Sequence, residues 1–331
     1  MRTLLLPLTL VLALVTACGD DDGGSAASPS AEAGETRTFA ADNGDIEIPA
    51  DPQRVVATGY AVPALIEADA ALVGVSSWER GVEMMTEEDR ATYEELPRVA
   101  GEAAAETDYE AIAELRPDLI VLGIPQPVMG DIDLDYLESI APVVAIGPTV
   151  PDAWRELSER QTDAANRLDH FEEDRTAYEE RAAELAAKYE DALAGLEFGH
   201  VGGYGVAEDG TFQREFSRSW GTNIAEDVGV TYYGEVAEPG GGGRDVSEYP
   251  ALEQIAESLG EADAITYTVQ PDGTPNPSVQ AVLDSGLWQQ LPAVQAGRAF
   301  PVRYTEASTY PSAMFTLDSL DEALAPLLTA R

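Results

Sequence analysis

The chain is poor in histidine, nearly free of cysteine and short of positive charge. Two His and one Cys in 331 residues exclude an internal disulfide. They also leave too few ligands for a cage around bare Zn²⁺ or Mn²⁺, which draws on several His or Cys alongside carboxylates. His170 and His200 are therefore read as solvated or structural, and no metal site is expected. A His-based catalytic triad has few options, and no G-x-S-x-G elbow is present. No enzyme is expected; a surface-tethered hydrolase built on His200 with a neighbouring Ser and Asp is the distant alternative. Nineteen Lys and Arg stand against 61 Asp and Glu, giving a formal charge of −42 and a pI near 4.1. Phosphate contact needs basic patches, which argues against nucleic acid and anionic membrane as partners. The acids read as a solvated surface, and any cluster of Arg against that background becomes informative.

Long apolar runs are also scarce. One occurs at the start, where Arg2 precedes Leu4 to Val15 and small residues follow. At about a dozen residues it falls short of the ~20 needed to span a bilayer. The layout is that of a secretory signal segment. Val15-Thr16-Ala17-Cys18 resembles the bacterial lipobox, in which the chain is cut before the Cys and its thiol is acylated. Residues 1–17 are thus expected to be a signal peptide. Residues 18–36 are expected to carry the lipidated Cys18 and a disordered tether, since Gly19 to Glu35 holds too little apolar area to offset chain entropy. Acyl chains such as palmitate would anchor the exported protein to the outer face of the cytoplasmic membrane, its only membrane contact.

What remains is long enough for two medium domains with an ordinary core, at 44% hydrophobic residues. Short apolar runs alternate with helical patterns: "RVVATGY", "ALVGVSS", "DYEAIAEL", "PDLIVLG", "LDYLESIA", "PVVAIGP". Such alternation implies mainly parallel sheets with helices on their faces. From about Pro151 to Gly195 Gly and Pro vanish, while Leu157, Leu168, Phe171, Tyr178, Leu185 and Tyr189 recur at helical spacing. A long helix with at most one break is expected there. Alternation then resumes through "LEFGHVGGY", "NIAEDVG", "VTYYGEV" (strand or loop), "ALEQIAESL", "ADAITYT" and "SAMFTLDSLDEALAPLL". The expected architecture is α/β: an N-terminal lobe (37–150), a long rigid linking helix (151–195) and a C-terminal lobe (196–331). "EAIAELRPDLIVL" and "EQIAESLGEADAITY" echo one another across the two lobes.

In order along the chain, "PQRVVATGYAVPALIEADAALVGVSS", "DYEAIAELRPDLIVLG", "IAPVVAIGP" and "LPAVQAGRAFPV" resemble the solute-binding proteins of ferric-siderophore and cobalamin ABC importers. That resemblance implies a ligand cleft between two lobes, limited closure and no cofactor. It also implies a monomer that hands a ferric siderophore to an ABC permease and its ATPase. Cobalamin or haem are the alternative ligands in the same class. Iron already wrapped in a chelator needs only shape and charge complementarity from the protein.

Ligands of open α/β sheets meet the loops at the carboxyl ends of strands. Those loops carry Tyr60, Trp78 and Arg80 in the first lobe. In the second they carry Tyr204, the segment "FQREFSRSW" with Arg214, Arg218 and Trp220, the loop "GGGGRD" with Arg244, and Arg303-Tyr304. Arg offers fixed donors to hydroxamate or catecholate oxygens, and aromatic rings supply flat apolar walls. Arg214 and Arg218 share one side whether their segment is helical or extended. The strong negative charge of the whole chain favours hydroxamates over trianionic catecholates. The family resemblance also places one permease-facing glutamate on each lobe, matching Glu110 and Glu253. If the lipobox reading holds, Cys18→Ala loses both the acyl mass and membrane partition in cell fractionation; retention of either overturns it.

Overall fold

The computed structural model describes residues 34–203 and 210–329. The signal segment, Cys18 and Tyr204 lie outside them. From Glu35 onward the chain forms one compact unit.

It begins with a hairpin that the alternation of runs did not announce. Strands β1 (Thr36–Ala41) and β2 (Gly44–Pro49) pair antiparallel across the two-residue loop Asp42–Asn43. Phe39 and Ile48 are buried on its inner face. The alternating "TRTF" and "DIEI" on either side of "DNG" are a hairpin signal in the sequence. The loop is stitched to the first sheet through Asn43, whose carboxamide donates to Val143 O (3.0 Å) and accepts from Ala145 N (2.9 Å).

The first sheet follows from β3 (Val55–Gly59), α1 (Ala61–Glu67), β4 (Leu72–Ser76), α2 (Glu87–Glu95) and β5 (Arg98–Ala100). The chain continues through α3 (Tyr109–Leu115), β6 (Leu119–Gly123), α4 (Leu134–Glu138) and β7 (Val143–Ala145). Its order is β5-β4-β3-β6-β7, parallel throughout. Both faces of β3 and β6 are covered, so these strands read as continuous apolar runs. Helix α3 starts where Asp108 accepts from Ala111 N (3.0 Å) and stops at Arg116, in the left-handed region (φ 47°) before Pro117.

The linking segment is helical in two pieces, α5 (Trp154–Ala164) and the 26-residue α6 (Leu168–Leu193). The one break falls at Asn166, which takes φ 57°, a conformation its short polar side chain tolerates. Arg167 N closes the end of α5 on Thr162 O at 2.8 Å.

The second half comprises β8 (Phe198–Gly202), β9 (Gln213–Glu215), α7 (Asn223–Asp227), β10 (Ser247–Glu248) and α8 (Ile255–Leu259). Then come β11 (Ala264–Thr268), α9 (Pro277–Asp284), α10 (Pro292–Gln295), β12 (Ala299–Val302) and α11 (Tyr310–Leu324). Its sheet runs β10-β9-β8-β11-β12, with β8, β11 and β12 parallel and β9 and β10 antiparallel. "VTYYGEV" supplies only a single bridge, Phe198 to Tyr232, rather than a strand. The two-lobed α/β arrangement with a long helix between sheets is thus as expected.

Each sheet packs one face privately and shares the other. In β6, Ile120 and Leu122 join an outer core with Ile112, while Leu119 and Val121 face an inner core. The alternation is the period of two along a strand. Val201, Ile265 and Trp288 form the outer core of the second lobe. The inner core is continuous through both lobes, from Tyr60 and Leu65 to Phe198 and Phe300. At its centre lies a knot of rings. Trp154 of α5 meets Tyr310 of α11 at 5.0 Å and Tyr178 of α6 at 6.0 Å, and Tyr310 meets Phe171 at 5.4 Å and Tyr178 at 5.2 Å. The Trp154 indole N–H donates to Asn223 Oδ1 (2.9 Å), so the polar edge of the largest ring is satisfied.

At the carboxyl ends of β3 and β6 two glycines allow backbones to touch. Gly59 takes φ 58°, and Tyr60 N donates to Gly123 O at 2.8 Å. A Cβ on Gly123 would stand 2.2 Å from Ala61 N and 2.8 Å from Thr58 O. Gly123→Ala is expected to cost about 1–3 kcal/mol through overpacking, read as a lower urea midpoint. A midpoint equal to that of the native chain would contradict this close approach.

Candidate functional site

A cavity of about 130 Å³ lies where strand ends of the two lobes meet. Arg80, Glu83 and Met84, just beyond β4, form its first-lobe wall. The second-lobe wall comes from Gly203 after β8, Thr268 to Pro271 at the end of β11, Asn276, and Tyr304 to Glu306 after β12. This is the carboxyl-end crevice expected of open α/β sheets.

Aromatic rings close the cleft beside it. Tyr60 meets Trp78 edge-on at 5.0 Å and stacks with Trp220 of the second lobe at 6.0 Å, their planes only 6° apart. The Arg80 guanidinium lies over Trp78 (4.0 Å) and Tyr60 (4.7 Å), a placement favoured by the negative face of the rings. Trp78 is held by its backbone N–H, which donates to Tyr93 Oη at 2.7 Å. Tyr304 reaches the cavity from a left-handed backbone (φ 61°), a conformation that is costly for a bulky residue. The Thr316 hydroxyl of α11 donates to Tyr304 O (2.5 Å) and helps hold it there.

Behind the second-lobe wall runs a buried polar chain. Thr305 and Thr268, both lining the cavity, are 3.2 Å apart. Thr268 Oγ1 lies 3.2 Å from His200 Nε2, and Glu215 Oε2 lies 3.3 Å from the same nitrogen. His200 Nδ1 is 2.8 Å from Thr266 Oγ1, which is 2.9 Å from Tyr232 Oη. Burial disfavours both charges: it pushes Glu215 up to about 7 and His200 down to about 3, the latter helped by the nearby Arg214 charge. The pair therefore stands mainly uncharged in mildly acidic solution. The hydroxyl on the nitrogen opposite Glu215, Thr266 Oγ1, is fully buried and paired with Tyr232 Oη, so it is not open to a substrate as the nucleophile of a hydrolytic triad must be. His200 is thus structural, as expected, and the hydrolase alternative finds no triad here. Among the described residues no cluster of His, Cys, Asp and Glu could hold a metal ion, and no helix is long and apolar enough to cross a membrane.

Of the expected arginines, only Arg80 lines the cavity. Arg214 and Arg218 do not share a side. The first lies in strand β9 and the second in the left-handed region (φ 69°) of a turn, which sends them apart. Arg214 is 1% exposed. Its guanidinium donates to Ser258 O, His200 O, Glu215 O and Tyr233 O at 2.6–3.4 Å and lies over Phe216 and Tyr233. It is a clamp for the second lobe. Arg218 makes a two-pronged bond to Asp152 (2.6 and 3.2 Å) at the entrance to α5. Arg303 pairs with Glu322 of α11, and Arg244 is exposed on the short turn Gly242–Asp245. For Arg214, Arg218 and Arg303 a nearby acid or carbonyl set holds the cation that the sequence assigned to ligand.

Sequence reasoning missed Glu83, Thr268, Gln270, Asn276, Thr305 and Glu306. The signal was available: the segment after "ADAITYT" follows a strand, as the chosen loops did. Glu110 and Glu253 are both exposed, each in the first turn of a short helical segment preceding an equivalent strand, β6 or β11.

Two α/β lobes flanking a cleft at their strand ends, spanned by one long helix, define a solute-binding protein rather than an enzyme. The chain belongs to the periplasmic binding protein family, whose model matches residues 55–303, and family membership implies export. It is 26% identical over 306 residues to the iron(3+)-hydroxamate-binding protein YxeB of Bacillus subtilis, covering 88% of this chain and 86% of that one. A siderophore periplasmic binding protein from the fuscachelin gene cluster of Thermobifida fusca is 32% identical, with TM-score 0.67, over 84% of this chain and 98% of that one. The Fe³⁺–Desferal-bound siderophore-binding protein FhuD of Vibrio cholerae shares the fold, with TM-score 0.63 at 19% identity over 83% of this chain and 98% of that one.

The Glu215 carboxyl predicts a pH effect of definite sign. A carboxyl raised by folding contributes stability that is present at acid pH and lost as pH rises through about 7. Glu215→Gln keeps a neutral group there, and the unpartnered Gln213 Oε1 can turn to accept its amide. Between about pH 5 and about pH 7 the native chain is expected to lose on the order of 2 kcal/mol relative to this variant. Parallel stability curves in denaturant would contradict it.

Proposed function

We propose that this protein captures a ferric siderophore, with hydroxamates favoured, and delivers it to an ABC permease for iron uptake. The observation that carries the reading is the cavity at the facing strand ends of both lobes, lined by Arg80 and Tyr304 and bordered by Tyr60, Trp78 and Trp220. The names of the relatives supply the ligand class. At about 130 Å³ the cavity is smaller than the roughly 300–1,000 Å³ of sites for drug-sized ligands. Binding of a whole chelate therefore parts the lobes, separating the stacked Tyr60 and Trp220. Tyr304 and Trp78 then meet the ligand as flat walls, and Arg80 turns from ring to chelate oxygen. Aromatic walls with a single arginine also suit a planar macrocycle, so haem and cobalamin belong in the same titration.

In this reading the protein works as a monomer held by acylated Cys18, with the segment after it as tether. The equivalent placement of Glu110 and Glu253 on the two lobes supports their role as contacts for basic residues of the permease. Tyr204, which follows β8 in sequence and lies outside the described residues, is proposed as a further ligand contact.

Titration of intrinsic tryptophan fluorescence tests the reading, since Trp78 and Trp220 flank the cleft. Quenching with micromolar or tighter affinity is expected for a ferric tris-hydroxamate, and Tyr304→Ala should weaken it about tenfold. No response to ferric hydroxamates, ferric catecholates, haem or cobalamin would overturn the function.

A further inference from the structure

We infer that the cavity selects ferric chelates bearing a positively charged arm, such as a protonated aminoalkyl group, over neutral and anionic chelates of the same core. This rests on the ferric-chelate reading of the site and adds the charge of the ligand to it.

Two of the three charged side chains on the wall carry carboxyl groups. Glu83 and Glu306 both line the cavity, and Arg80 is the one cation among its described lining residues. That cation is already engaged with the faces of Trp78 and Tyr60. Glu83 has only a distant partner, Arg90 at 3.8 Å. Among the described residues Glu306 is half-buried and has no hydrogen-bond or ion-pair partner. Burial raises its carboxyl to about 7, opposed by the charge of Arg80 and assisted by that of Glu102. A carboxyl held above its ordinary range is a group short of a positive neighbour. Behind this wall the Arg214 charge acts on Glu215, but its guanidinium is held by four carbonyl oxygens and does not line the cavity. Glu215 feels the Glu306 charge from behind the wall, and Gln213 Oε1 is buried without a partner against Gly202, whose neighbour Gly203 lines the cavity. The cavity is also small enough for a short aminoalkyl arm. An ammonium brought to Glu306 would restore its ionisation, so binding of such a ligand releases a proton near neutrality, while a neutral ligand of the same shape does not.

The probes are ferrioxamine B, whose pendant ammonium leaves it cationic, its N-acetylated form with the same ferric tris-hydroxamate core, and a ferric tris-catecholate trianion. Calorimetry at about pH 7 in two buffers of different ionisation enthalpy reads both affinity and proton release. The cationic chelate is expected to bind at least about tenfold more tightly than its acetylated form, the worth of one charge-assisted contact. It should also release a fraction of a proton that the acetylated form does not. In Glu306→Gln the ratio of the two affinities should fall at least fivefold and the proton release should disappear. Loss of folded protein scales both affinities alike, so the ratio remains readable. Glu83→Gln provides a second variant, expected to lower the ratio less. Equal affinity for the two hydroxamates, a ratio unmoved by Glu306→Gln, or tightest binding of the catecholate would overturn the inference while leaving the siderophore function standing. Failure of every chelate to bind would instead remove the function on which it rests.

Discussion

The ring knot of Trp154, Phe171, Tyr178 and Tyr310 is the constraint on which the geometry of the cleft depends. It joins the start of α5, the body of α6 and the first turn of α11, and through Asn223 it reaches the second lobe. Aromatic pairs of this kind contribute about 0.5–1.5 kcal/mol each beyond the area they bury. Around it Arg155 spans Trp154, Asp227 and Tyr178, and the Thr309 hydroxyl at the start of α11 donates to Glu67 of α1 at 3.0 Å. The lobes are thus joined through one shared buried core, which extends to the Tyr60–Trp220 stack beside the cavity.

The fold was legible because its signals are periodic and local. "PDLIVLG" and "RVVATGY" are too apolar for anything but strands covered on both faces, and the proline after Arg116 marks where α3 must end. The linking helix was legible from the absence of Gly and Pro, and its single break from nothing stronger than an asparagine. The site was less legible, because a cleft arginine and a structural one look alike in sequence. Arg214 illustrates the difficulty. Its neighbours on either side face the His200 cluster, so strand alternation turns Arg214 itself to the opposite face, where four carbonyls hold it. Only the three-residue extent of β9 reveals that, and three residues give no periodicity to read. Arg218 and Arg303 failed for a related reason: with 61 acids in the chain, most exposed cations find a carboxylate before any ligand.

Of the aromatic residues, Tyr304 lines the cavity, and Tyr60, Trp78 and Trp220 pack beside it. What lies beside them is a wall with two carboxyl groups and one arginine rather than the expected arginine cluster, consistent in sign with the chain as a whole. Local and global electrostatics here act in the same direction, so a positively charged solute is drawn in by the field at a distance and received by Glu306 at contact.

The carboxamide of Asn43 has a consequence beyond anchoring the hairpin. By donating to Val143 O and accepting from Ala145 N it presents the exposed edge of β7 with the same pair of groups that another strand would offer. The edge is thereby occupied by a two-residue loop that cannot be extended. Edge strands with free peptide groups are where sheets of neighbouring molecules join. A receptor crowded beside its own copies would be exposed to that hazard, and one side chain keeps the β7 edge of the first sheet from accepting a further strand.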